Sequence, residues 1–207
     1  DAMRESLPVF QRYYRKKAEI LGHENGLPFY DLFAPVAKAE QRFTYEEARD
    51  YIVKNFRTFS DELAHFADNA FEKRWIDAEQ REGKRGGAFC SNLFAIGESR
   101  IMSNFSGSFS SMMTLAHELG HGYHGYCLKE ESILNSSYSM PIAETASIFC
   151  ETIVMNAALN EATPEEAFGI LETSISDAGQ VIVDIYSRFL FESALFETRK
   201  DHALSVE

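Results

Sequence analysis

"TLAHELGHGYHGY", residues 114–126, gathers three of the chain's six histidines into eight positions and sets one glutamate among them. On a helix turning ~100° per residue, His117 and His121 stand one turn apart on a single face. Met112, Leu115, Ala116, Leu119 and Tyr123 fall on another stripe, roughly 150° away, which predicts a core contact. Glu118 lies between the two faces, close to the imidazole side. One face anchors the helix and the other presents ring nitrogens. A zinc ion at ~2.0–2.1 Å from each nitrogen bridges such a pair without strain.

His124 is on the same side but roughly 10.5 Å along the axis from His117, two full turns, too far for one ion to hold both. The spacing H-E-x-x-H-x-x-G-x-x-H is also absent, because position 124 is His and position 127 is Cys. A third ligand is therefore expected from elsewhere.

"MPIAETASIFCETIVMN", residues 140–156, supplies the candidate. Between Ser132 and Asn160 the only charged residues are Glu144 and Glu151, two helical turns apart in an otherwise apolar run. A helix apolar almost all round predicts burial, and a buried carboxylate needs a cation or several donors. His117, His121 and Glu144 together would hold one zinc per chain and leave a coordination position for water. Glu118 is then free to act as the general base. Glu151 is placed to orient a ligand histidine through its second ring nitrogen, or to form a structural ion pair.

Around this centre the pattern predicts a mainly α protein with a small β-sheet. Residues 1–80 read as helical: an amphipathic helix over 4–21 closing at Gly22, then a capping box at Thr44 and Glu47, then a helix from Ser60 to about Trp75. Residues 81–107 carry glycines between short β-prone runs, "GAFCS" and "SRIMSNF", a small sheet or hairpin. Residues 108–207 read as helical again, with a strong start at Thr163-Pro164-Glu165-Glu166 and a bend near Gly179. Both ends read as cut, so that 1–207 is part of one catalytic domain.

Composition narrows the partners. The 207 residues are 45% hydrophobic with a net charge of −12, which argues for a globular chain and against nucleic-acid binding. No run approaches ~18–20 consecutive apolar residues, so no membrane partner is expected. Cys90, Cys127 and Cys150 form no C-x-x-C pair and favour a reducing, cytoplasmic setting.

"HELGHGYH" and "IAETASIFCE" resemble the two motifs of the thimet oligopeptidase and oligoendopeptidase F zinc peptidases, and the Ala-Glu-x-Ala-Ser flavour is nearer the oligoendopeptidase F branch. "GESRIMSNFSGS" is similar to the strand that lies beside bound peptide in that family. The likeness runs over nearly the whole chain. It implies a helical, deep-channelled, zincin-like fold acting on oligopeptides, with His117, His121 and Glu144 as ligands, Glu118 as base, and Glu151 and His124 near them. It also implies that an N-terminal lobe is missing, together with a C-terminal segment that carries oxyanion-stabilising His and Tyr residues. Loss of one such donor costs ~10²–10³ in rate, so weakened hydrolysis is expected of this chain. The competing reading is a non-catalytic peptide-binding or assembly module with a structural zinc.

Overall fold

The structure, a computed structural model, describes residues 1–36 and 42–205. In chain order the elements are α1 (Ala2–Leu21), α2 (Tyr45–Phe59), α3 (Asp61–Glu72), β1 (Ile76–Asp77), β2 (Phe89–Leu93), β3 (Glu98–Met102), α4 (Phe109–Cys127), α5 (Met140–Glu161), α6 (Pro164–Gly179) and α7 (Ile185–Arg199). They form two compact units, Asp1–Lys38 with Phe168–Glu207, and Ala39–Ala167. The described residues are mainly helical with one three-stranded sheet.

In the first unit, α1 ends at Gly22, whose φ of 84° and two backbone bonds to α1 carbonyls form a left-handed cap. Tyr13 and the buried Lys17 both donate to Glu172 Oε1, at 2.6 and 2.8 Å. Desolvation and that carboxylate push the Tyr13 phenol above its usual range. Next to Gly179, where the sequence predicts a bend, a π-helical turn, Gln180–Asp184, links α6 to α7.

The second unit is built from short-range signals that the chain supplies in order. Thr44 caps α2 with its side chain on Glu47 N, while Glu47 returns a carboxylate to Thr44 N at 2.7 Å. Ser60 ends α2 and starts α3, accepting from Glu62 N and Leu63 N. Ile52 and Phe56 of α2, Leu63 of α3, Met112, Leu115 and Leu119 of α4, and Val154 of α5 are fully buried together. Each such side chain contributes ~1.5–3 kcal/mol on burial, and four of the five residues on the expected α4 stripe lie in this core.

The small sheet expected over residues 81–107 is present, with one strand added from outside that range. A two-residue strand from the end of the helical N-terminal part, β1, pairs parallel with β3 at Ile76↔Ile101, giving the order β1-β3-β2. β3, from "SRIMSNF", is therefore the central strand, with Ile101 buried and β2 antiparallel on its other side. β1 covers its own side of β3 only at Ile101 and Met102, while the outer edge of β2 has no strand partner among the described residues. Local alternation marks a strand but not its neighbours, which is why the order was not legible beforehand.

Two side chains pin the loop that feeds β2. The Lys84 ammonium donates to the carbonyls of Asp77, Glu79 and Ser103 at 2.9, 2.8 and 2.6 Å. Its side chain is 4% exposed. Asn104 Nδ2 donates to the carbonyls of Arg85 and Gly87, each at 3.0 Å.

α5 corrects a second expectation. It is apolar almost all round, and by length and composition alone would be able to cross a membrane, the one such helix among the described residues. Yet it is not buried all round: Ile142 and Ile148 remain 55% and 53% exposed. The helix packs against α4 and α2, and only the side carrying Ser147, Cys150, Val154 and Ala158 is covered.

Candidate metal centre

α4 contains three glycines, each ~1 kcal/mol less favourable in a helix than alanine. Each one meets a neighbour. A Cβ on Gly120 would stand 2.8 Å from both the Ala146 carbonyl oxygen and the Ser147 Cα of α5. One on Gly122 would stand 2.9 Å from the Phe66 ring, and one on Gly125 would collide with the Asn92 amide of β2. Gly120 thus lets the backbones of α4 and α5 touch between the two halves of the site. Gly125 admits Asn92, whose Nδ2 donates to the His121 carbonyl at 3.2 Å while its Oδ1 accepts from Ser99 at 2.8 Å.

With the helices this close, His117, His121 and Glu144 converge. His117 Nε2 lies 3.1 Å from His121 Nε2 and 3.3 Å from Glu144 Oε2, and His121 Nε2 lies 3.5 Å from that same oxygen. These three residues form the one group of His, Cys, Asp or Glu donors suited to a metal among the described residues. A tetrahedral ion with bonds of ~2.0–2.1 Å needs ligand atoms roughly 3.3–3.4 Å apart. The observed triangle fits that requirement, and two imidazoles with a carboxylate suit a borderline divalent ion.

The outer partners are placed as well. Glu151, two turns beyond Glu144 on α5, bonds His117 Nδ1. That bond keeps the proton on Nδ1 and leaves the Nε2 lone pair facing Glu144. Burial pulls the His117 pKa down, but the Glu151 hydrogen bond and the charges of Glu151, Glu118 and Glu144 outweigh it, leaving it raised. His121 moves the other way, lowered by burial and by His117. Ser147, which the sequence reading passed over, donates to Glu144 Oε2 at 2.9 Å.

Glu118 is buried, and its Oε2 has no hydrogen-bond partner. Desolvation, opposed by His117 and reinforced by Glu144 and Glu151, pushes its carboxyl up to about 6. A carboxylate poised near neutrality, beside a metal-ready donor triangle, is equipped to accept and return a proton.

His124 is not among the converging donors. Its ring stacks on Tyr138, with centroids 4.0 Å apart and planes 17° apart, and its Nδ1 is buried without a partner. Tyr138 closes the segment that enters α5, so the stack ties the end of α4 to the start of the helix bearing Glu144. Cys90 of β2 feels the Glu118 charge, and burial with that charge pushes its thiol up to about 12, which makes it inert as a nucleophile.

Comparisons with known proteins bear on what such a centre does. The family model described as "Peptidase family M3" matches residues 1–180. Oligopeptidase PepF of Bacillus subtilis is 32% identical over 162 residues, covering 77% of this chain and 24% of that protein. The oligoendopeptidase F homolog of Borreliella burgdorferi is 33% identical over 182 residues, covering 86% and 30% respectively. The solved structure of PZ peptidase A with inhibitor 2 superposes with a TM-score of 0.73 at 19% identity, over 91% of this chain and 35% of that one. The chain spans about a quarter to a third of the length of these relatives.

Proposed function

The chain belongs to peptidase family M3, on its oligoendopeptidase F branch, and from that premise we propose that it forms part of the catalytic domain of a zinc-dependent endopeptidase that hydrolyses short peptides. The observation that carries this reading is the donor triangle of His117, His121 and Glu144 beside the unpartnered Glu118 Oε2. His117 and His121 hold the ion from α4 and Glu144 from α5, one zinc per chain.

When bound there, zinc supplies Lewis-acid chemistry, lowering the pKa of water toward ~7 and polarising the scissile carbonyl. Glu118 takes the proton from the attacking water on Oε2 and delivers it to the departing amine nitrogen. Glu151 holds the His117 ring in place through Nδ1 and balances its charge. The outer edge of β2, tied to the His121 turn by Asn92, offers backbone groups to an extended peptide.

The test pairs zinc content with cleavage of a mixed oligopeptide library. One zinc per chain and metal-dependent internal cleavage are expected. Tight zinc with no cleavage by any preparation would favour a structural metal in a peptide-binding module.

A further inference from the structure

The hydroxyls on α5 do not all behave alike. Thr145 and Thr152 donate to the backbone carbonyl four residues back, the ordinary arrangement for a helical hydroxyl. Ser147 is fully buried and turns toward Glu144, 3.0 Å from its carbonyl and 2.9 Å from Oε2. That oxygen is the one facing both imidazoles. It has two lone pairs, so a hydroxyl and an ion can share it.

We propose that Ser147 is a positioning residue of the metal centre, its hydroxyl presetting the Glu144 carboxylate for the ion held by His117 and His121. This rests on the reading of Glu144 as a ligand. A glutamate side chain has three rotatable bonds, and fixing it costs rotamer entropy. The Ser147 bond restricts those rotamers before any ion arrives. Position 147 must also stay small, since its side chain is fully buried. Alanine keeps that size and removes only the hydroxyl, which makes the substitution a clean probe.

The experiment uses the 207-residue chain and zinc alone, with affinity read by competition against a chromophoric chelator. Two further readouts are the cobalt(II) ligand-field spectrum and the melting temperature of the metal-free protein. Ser147→Ala is expected to bind zinc about 10- to 100-fold more weakly and to alter the cobalt spectrum, with the metal-free melting temperature unchanged. Wild-type affinity with an unchanged spectrum overturns the proposal. If the alanine variant does not fold, Ser147→Gly also removes the hydroxyl and adds no bulk, and wild-type zinc affinity in that variant overturns the proposal equally. Glu144→Ala serves as the separate control: if it binds zinc like wild type, the ligand reading itself fails, whatever Ser147 does.

Discussion

Gly120 of α4 and Ser147 of α5 are in backbone contact: a Cβ at position 120 would stand 2.8 Å from the Ser147 Cα. The glycine of the H-E-x-G-H run is thus a packing requirement imposed by the helix that brings Glu144. Helix propensity alone would reward Gly120→Ala by up to ~1 kcal/mol, but overpacking against backbone costs ~1–3 kcal/mol. The clash should win. Gly120→Ala is expected to lower the melting temperature and to weaken zinc binding by at least about tenfold, because the donor triangle opens as α4 and α5 separate. Calorimetry and chelator competition measure the two effects.

Glu118 and the ligand residues should separate cleanly. Glu118→Gln keeps shape and removes the base, so zinc stoichiometry stays at wild type while peptide cleavage falls about 10²–10⁴-fold. His117→Ala and Glu144→Ala should instead lose the metal itself. Metal analysis beside a quenched fluorescent peptide assay distinguishes the two classes. Normal turnover by Glu118→Gln would remove it from the role of base.

Lys84 should matter to stability although it is remote from the ligands in sequence. Lys84→Met leaves the carbonyls of Asp77, Glu79 and Ser103 without their common donor, and Ser103 is buried. A buried carbonyl left unpaired costs ~1–3 kcal/mol, which corresponds to a fall in melting temperature of roughly 2–12 °C for a chain of this size. A thermal melt of the metal-free variant reads it directly.

Acid should loosen two helix starts. Hydrogen bonds from the Thr44 backbone and side chain hold the Glu47 carboxyl below its ordinary value, and Thr163 does the same for Glu166. With folded values depressed, the stabilisation from these caps is fully present above the ordinary value of 4.5 and is lost as the pH falls through the lower folded values. The melting temperature of the wild type should fall more steeply below about pH 4.5 than that of a Glu47→Gln, Glu166→Gln double variant. Parallel curves would show that the caps carry no linked protons.

What the chain discloses before folding follows the range of each interaction. The imidazole pair and the α4 core stripe are visible because helical periodicity is local, and Glu144 stands out as a charge in an apolar run. Ser147 is silent, since a helical serine ordinarily bonds its own backbone. Asn92 is silent because its partner, the His121 carbonyl, lies 29 residues away. The central place of β3 depends on a two-residue strand after α3 that carries almost no pattern of its own. The exposure of Ile142 and Ile148 was misread because apolar composition reports what a helix can bury, while burial depends on which neighbours the chain brings to it.

The central claim is that α4 and α5 together hold one metal ion. It is tested most directly by a crystal structure of the zinc-loaded chain with anomalous data collected on either side of the zinc edge. The account predicts a single strong peak within ~2.0–2.2 Å of His117 Nε2, His121 Nε2 and Glu144 Oε2. A peak held by other residues, or no peak between these three in a protein shown to contain zinc, would contradict it.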